Sequence, residues 1–260
     1  MATAISPTIN YWPDARCARA FWGQHEAPAY KQLLADTSAW LDPRPGQRWL
    51  DMGCGCGQLS QAIWEKSGGT VGEVIGLDCA AENDRAFQRL RSALNPPAPV
   101  DRLHFHCGDF SEGLLAWPTG SLDGVVSGLA IQYAQSYSAE LRRWTTAAYD
   151  HLLGEVCRVL RPRGVFVFSV NVPEPAWARV AWRSFQGVFT NPRPARFLKR
   201  ALRMLRYGRW LKQEARRGRF HYLPLETIVA KLSAAGFVRV EHRTSFVGQA
   251  YILRCYKPAL

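Results

Sequence analysis

The chain has 260 residues, of which 47% are hydrophobic, and a formal net charge of +12. That length and apolar content give a sizeable core and exclude a disordered chain. No apolar run reaches the roughly 18 residues that a membrane-spanning helix needs.

The charge is not spread evenly. Arg179 to Arg219 holds thirteen Arg or Lys and one acid, Glu214, so the rest of the chain balances. The basicity belongs to one segment, and an anionic partner would be met there. The N-terminus, MATAISPTINYWPDAR, lacks the basic-then-apolar layout of a secretory leader. Seven cysteines occur without a C-x-x-C pair. Free thiols and a reducing, cytoplasmic compartment are therefore expected.

In chain order, residues 1–47 carry many large apolar side chains, and Ala27 to Leu41 has helical spacing that Pro43 and Pro45 end. His25 precedes this helix. Strand one is predicted over Arg48–Met52. It runs through Gly53, Gly55 and Gly57 into a helix over Gln58–Glu65, which is the layout of a nucleotide-binding βα unit. Alternate glycines permit backbone conformations and close approaches that a Cβ blocks, and the free N–H groups at the helix start favour a polar or anionic group. The dinucleotide pattern G-x-G-x-x-G is not met, because Gln58 stands where its third glycine belongs, and no G-x-x-x-x-G-K-[S/T] loop occurs. Cys54 and Cys56 read as small side chains between glycines rather than metal ligands, since no second ligand pair with zinc spacing appears.

Strand two is predicted over Val71–Leu77 and ends at Asp78, an acid positioned for ribose hydroxyls. A helix over Glu82–Leu94 and a strand over Arg102–Cys107 follow, the latter leading into Gly108-Asp109-Phe110. His104 and His106 share a face of that strand without an evident third ligand, so no metal is expected. Strand four, Leu122–Ser127, runs into Gly128-Leu129-Ala130-Ile131-Gln132-Tyr133. The spacing predicts one long helix over Glu140–Leu160, a turn at Leu160-Arg161-Pro162-Arg163-Gly164, and strand five over Val165–Val170. Pro173–Phe220 interrupts the α/β rhythm. Within it, Arg196–Tyr207 alternates an apolar and a basic side at helical spacing. A helix over Leu225–Ala235 and strands over Phe237–Thr244 and Gln249–Cys255 close the chain.

Asp51-Met52-Gly53-Cys54-Gly55-Cys56-Gly57, Asp78, Gly108-Asp109-Phe110, the Leu160–Gly164 turn and the A-G-F-x-x-V ending together resemble class I S-adenosylmethionine (SAM)-dependent methyltransferases, in the style of ubiquinone/menaquinone-biosynthesis and related small-molecule enzymes. The resemblance covers about residues 45–172 and 224–257. It implies an α/β fold: a doubly wound, seven-stranded, mostly parallel sheet with its last strand antiparallel. The chain then reads as one domain, with a helical N-terminal cover (1–47), a SAM-binding core (48–172), a basic helical insertion or lid (173–220) and a C-terminal helix and hairpin (221–260).

The resemblance also implies the site. Asp51, Gly53, Cys54, Gly55 and Gly57 hold the amino-acid part of SAM, Asp78 the ribose, and Asp109 and Phe110 the adenine, with Cys79 also in the cofactor-binding set. Ile131, Gln132 and Tyr133, with His25, face the methyl acceptor. His221, Tyr222 and Tyr133 are the candidates for a base or a substrate hydrogen bond. The [D/N]-P-P-[Y/F], Pro-Cys and acidic signatures of adenine-, cytosine- and metal-dependent catechol enzymes are missing from the strand-four junction, which leaves a small, fairly hydrophobic acceptor. Residues 193–212 are the candidate contact for an anionic membrane surface. Two alternatives stand beside this reading. One is an RNA-modifying enzyme using the basic segment as an arm, the other a non-catalytic SAM-binding protein.

Overall fold

The computed structural model describes residues 10, 12–23, 26–95, 97–185 and 206–259. His25 and all of 193–205 lie outside them, as does nearly all of the predicted basic helix.

The sheet begins with β1 (Arg48–Met52), whose Trp49, Leu50 and Met52 are buried. Two glycines flank it. A Cβ on Gly124 would lie 2.5–2.6 Å from the Trp49 ring, and one on Gly72 would meet the Gly46 carbonyl oxygen at 2.6 Å. The chain passes through α3 (Gln58–Lys66) to β2 (Glu73–Asp78), then α4 (Asn83–Ala93) to β3 (Leu103–Cys107), building outward on one side of β1. It returns as β4 (Leu122–Gly128) on the other side of β1, and β7 (Leu160–Asn171) pairs beyond it. The C-terminal hairpin, β8 (Val238–Ser245) and β9 (Ala250–Tyr256), completes the order β3-β2-β1-β4-β7-β9-β8. β9 pairs antiparallel to both neighbours while the other ladders are parallel. The seven-stranded, mostly parallel sheet is therefore the expected one.

Apolar side chains cover both faces. Leu50, Val125, Phe166 and Phe168 pack with Leu152, Val156 and Ile228 on one face; Trp49, Val126 and Val167 pack with Ile63, Trp64 and Phe87 on the other. Continuous burial along β1, β2 and β4 is what a sheet covered on both sides demands. The strand order reverses between β1 and β4, so a crevice opens at the carboxyl ends of these strands.

One predicted element is wrong. Residues 140–146 do not begin a helix; β5 (Ser136–Ser138) and β6 (Arg143–Thr145) form a small antiparallel hairpin, and the helix α5 is Ala147–Val159. Ser136 Oγ accepts from the Ala148 N–H at the start of α5. Trp144 stacks edge-on to Tyr137 and under the Arg219 guanidinium, 4.8 Å away. These contacts outweigh the local helical spacing, and Leu141, which that spacing assigns to the core, is 54% exposed. At the predicted Leu160–Gly164 turn the left-handed residue is Arg163 (φ 63°), not the glycine. Gly164 is required by crowding, since a Cβ there would meet the Arg161 carbonyl oxygen at 2.8 Å.

Outside the sheet, α1 (Ala15–Phe21) and α2 (Pro28–Ala39) precede β1. α6 (Trp177–Phe185) and a helix α7, described over 206–216, follow β7. The helix α8 (Leu225–Ala234) packs against α5. No helix among the described residues is long and apolar enough to cross a membrane.

Introducing Ala at Gly124 drives a methyl into the Trp49 ring between two paired central strands. We expect a loss of about 1–3 kcal/mol, read as a lowered urea midpoint with an unchanged slope.

Candidate active site

The turn from β1 to α3 is left-handed at each glycine, with φ of 74° at Gly53, 51° at Gly55 and 82° at Gly57. Two consecutive amides, Gly53 and Cys54, donate to the Leu77 carbonyl, and the Gly57 N–H donates to Cys54 O. The Gly55 N–H donates to Asp78 Oδ2 at 3.0 Å. The loop is thus tied to the end of β2. A Cβ on Gly53 would lie 2.2 Å from the Ala130 Cβ, and one on Gly57 would lie 2.8 Å from the Phe87 ring. A Cβ on Gly55 meets nothing within 4 Å, and this residue lines the cavity below.

Asp51 is almost fully buried at the end of β1. Its Oδ2 accepts from the Ser60 N–H at 2.9 Å and from Ser60 Oγ at 2.7 Å, clasping the first turn of α3. Burial pushes its carboxyl up to about 7, against these two hydrogen bonds. Asp78 is also raised by burial, while the Ala80 and Gly55 amides and Asn83 hold it down. Asp109 accepts from the Ser111 N–H at 2.8 Å and from Asn10 Nδ2 at 2.6 Å, so the N-terminal segment reaches over it. Phe110 beside it is buried and packs next to Gly53.

A cavity of about 280 Å³ runs along this edge. At one end it is lined by Asp51, Gly53–Cys56, Asp78–Ala80 and Asp109–Ser111. At the other it is lined by Tyr30, Leu33, Leu129, Trp177, Val180 and Phe246. Tyr133, Ser169 and Asn171 also line it. The N-terminal helices roof it. Trp22 Nε1 donates to Asn83 Oδ1 at 2.8 Å, Arg19 pairs with Glu82 at 3.0 Å, and Cys56 Sγ lies 3.9 Å from the Trp22 carbonyl. Trp12 packs on Tyr133 with ring centroids 4.5 Å apart, and both pack on Phe220.

Most of the residues assigned to the cofactor meet here: Asp51, Gly53, Cys54, Gly55, Asp78, Cys79, Asp109, Phe110, and Tyr133 from the acceptor set. Gly57 does not line the cavity; it starts α3 against Phe87. Ile131 and Gln132 are fully buried away from it. Ile131 belongs to the core, and Gln132 is a clasp: its Nε2 donates to Leu129 O and its Oε1 accepts from the Asn171 N–H. The polarity that made Gln132 an acceptor candidate is taken up by the backbone and by its neighbour Tyr133.

His221 is also buried outside the cavity. Its ring hydrogen-bonds the Ala134 backbone and lies edge-on to Tyr149, and burial lowers its pKa to about 4. It is neutral at pH 7 and does not face the cavity, so it is not placed to act as a base on an acceptor there. Tyr222 lies behind Tyr133, with the two hydroxyls 3.4 Å apart. Burial raises both, Tyr222 to about 12 and Tyr133 well above the usual phenol, so both stay protonated at pH 7. The alternating histidines of β3 turn to different neighbours, His104 to Glu73 (3.6 Å) and His106 to Trp117.

Asn10, Trp22, Asn83, Ser169 and Asn171 are lining residues that the sequence did not single out. For two of them a signal existed. Ser169 and Asn171 are polar residues two apart, hence on one face, at the carboxyl end of an otherwise apolar strand.

Residues 50–168 match the methyltransferase domain family. A malonyl-[acyl-carrier protein] O-methyltransferase of Methylovorus is 32% identical over 128 residues, covering 49% of this chain and 38% of that protein. A 24-methylenesterol C-methyltransferase 2 of Oryza sativa is 32% identical over 139 residues, covering 53% and 32%. The chain thus spans about a third of the length of these curated relatives. Among solved structures, the complex between the Haloferax volcanii Trm112 methyltransferase activator and the putative methyltransferase superposes with a TM-score of 0.63 at 18% identity, over 95% of this chain and 98% of that one. Residues 50–168 thus form a methyltransferase domain of the class I, SAM-dependent type, and the cofactor such a domain takes is SAM. The described site fits that cofactor: an open, side-chain-free cradle at Gly55, backed by carboxylates at the ends of β1 and β2.

Gly53→Ala meets both a left-handed φ and the Ala130 methyl. We expect cofactor binding to weaken at least tenfold by calorimetry, the equivalent of about 1.4 kcal/mol. Asp51 gives a pH test. Its folded pKa lies above the unfolded 3.8, so the fold alone loses stability as pH rises from about 4 to about 7. An ammonium group held against it reverses that preference and expels the proton. Calorimetry at pH 6 in buffers of different ionisation enthalpy should register proton release on SAM binding, absent in Asp51→Asn.

Proposed function

We propose that the chain transfers the methyl group of SAM to a small, largely apolar acceptor. The observation that carries this reading is the single cavity joining the glycine loop to the apolar pocket of Leu33, Leu129, Val180 and Phe246. In the proposed roles, Asp51 and the Gly53–Cys56 loop hold the amino-acid part of the cofactor, Asp78 and Cys79 the ribose, and Asp109 and Phe110 the adenine. When bound, SAM supplies an electrophilic methyl whose leaving group is a neutral thioether. The protein has to align the acceptor and exclude water. The roof of Trp12, Phe21 and Trp22 serves exclusion, and Tyr133, steadied by Tyr222, serves alignment.

A nucleic-acid acceptor is less well supported. In the described part of the insertion Trp177 lines the cavity and Trp210 packs on Trp12 and Phe220, so neither offers a free stacking face. Exposed cations do remain on α6 and α7, at Arg179, Arg206 and Arg209, and Trp182 on α6 is 76% exposed. They fit the proposal that the 193–212 region rests on an anionic membrane surface from which an apolar acceptor is taken.

The purified chain, given SAM with a methyl label and a total lipid and small-metabolite extract, should transfer label to an organic-soluble product. Label appearing in RNA, with binding that falls steeply as salt rises, would replace this reading with the RNA one. Tight SAM binding without transfer to any extract would favour a non-catalytic role. In a separate test, the chain should pellet with anionic but not zwitterionic vesicles at low salt. Equal recovery with both would remove the membrane proposal.

A further inference from the structure

Two features at the acceptor end of the cavity have no part in holding the cofactor. The first is Asn171, the last residue of β7. It is 1% exposed and lines the cavity. Its N–H donates to Gln132 Oε1 at 2.7 Å, which fixes the backbone, and its side-chain amide bonds the Tyr222 hydroxyl. Its Oδ1 is buried without a hydrogen-bond partner. Such an oxygen costs about 1–3 kcal/mol unless something donates to it. Its neighbour on the same strand face, Ser169, is satisfied: Ser169 Oγ accepts from the Leu129 N–H at 3.1 Å. The unpartnered acceptor is therefore Asn171 Oδ1, at the carboxyl edge of the sheet; Trp177 Nε1, in another residue lining the cavity, is a buried donor without a partner.

The second feature is the tip of the β8–β9 hairpin. Phe246, Val247 and Gly248 are all left-handed, with φ of 56°, 56° and 76°. For a bulky and then a β-branched residue this is strained, and strain persists only where surroundings enforce it. They do so here. Gln249 binds the tip through its Nε2 to Val247 O and its N–H to Ser245 O, while its Oε1 takes the Ala176 N–H just before α6. Ser245 Oγ donates to Asp36 Oδ2 on α2 at 2.5 Å, and Arg243 donates to the Asp36 carbonyl. What this scaffold places in the cavity is the Phe246 ring, 3% exposed, edge-on to Tyr30 (6.0 Å) and to Trp177 (6.4 Å). These rings and Leu33, Leu129 and Val180 form the largely apolar wall of that end of the cavity.

We infer that the acceptor is an amphiphile whose hydroxyl or N–H donates to Asn171 Oδ1 and whose apolar tail fills the Leu33–Leu129–Val180 pocket up to Phe246, which sets the tail length. This rests on the methyl-transfer reading above. It narrows that reading to an acceptor with a hydrogen-bond donor, and it makes Asn171 and Phe246 the specificity determinants.

Paired probes test it: para-alkylphenols of increasing chain length and the corresponding para-alkylanisoles, which keep the shape and lose the donor. They are titrated by tryptophan fluorescence into the full chain with the demethylated cofactor present, Trp12 and Trp177 being lining residues. Phenols should bind about tenfold tighter than anisoles of the same tail, and affinity should rise with length to a sharp cut-off. Asn171→Leu should bring the phenol-to-anisole ratio close to one without moving the cut-off. Phe246→Ala should extend the cut-off by about three methylenes without changing the ratio, and Phe246→Leu should extend it less. Phenols and anisoles binding the unaltered chain equally, no probe binding at all, or a cut-off that ignores Phe246 would each overturn the inference. SAM binding measured separately keeps the two readings apart. Phenol selectivity in a chain that gives no heat with SAM would sustain the pocket assignment and remove methyl transfer.

Discussion

The site depends on the attachment of one tight turn to the strand beside it. Between β1 and α3 the chain has to reverse over the end of β2, and it does so by giving the Gly53 and Cys54 amides to Leu77 and the Gly55 amide to Asp78. Only left-handed backbone points those amides that way, and only missing side chains let Ala130 and Phe87 close in at Gly53 and Gly57. The Asp51–Ser60 clasp then sets the direction of α3. The turn, the carboxylates and the amides at the start of α3 form one hydrogen-bonded unit, so a change at any one of them disturbs the shape of this end of the cavity.

From this unit the cavity extends toward elements far apart in the chain. The N-terminal helices, the β4 and β7 ends, the insertion and the C-terminal hairpin each contribute lining residues. Several are held by buried polar contacts rather than apolar packing alone. Arg219, for example, reaches Glu214, Gln135 and the faces of Trp144 and Phe220. A buried cation with that many partners fixes where the insertion rejoins the core, and with it the ring of Phe220 against Tyr133 and Trp12. Methyl transfer by in-line displacement asks for this kind of enclosure more than for a strong acid or base. The neutral His221 and the two protonated tyrosines agree with that demand.

How much was legible before the structure differs by region. The glycine turn, Asp78, Asp109 and Phe110 could be read because each is a local device: a conformation, a strand end or a short turn that few residue types permit. Ile131 and Gln132 were misassigned because a motif position says nothing about which way a side chain turns. Gln132 turns inward to satisfy the backbone of Leu129 and Asn171. The helix over Glu140–Leu160 was overextended because spacing ignores the cation of Arg219, far off in the sequence, that holds Trp144 in a hairpin. Asn171 was passed over although its polarity at the end of an apolar run was visible, because its burial and its unpartnered oxygen arise only from tertiary packing.

By itself the sequence determined the α/β class, the parallel strands as continuous apolar runs, and the position and left-handed character of the glycine turn. These follow from short-range rules of backbone conformation and side-chain period. The tertiary structure decided which of the candidate side chains face the cavity, which apolar side chains wall its far end, and that Asn171 Oδ1 and Trp177 Nε1 are buried without a partner. Those outcomes are set by contacts between segments as much as 209 residues apart, as between Asp36 and Ser245, and no local pattern encodes them.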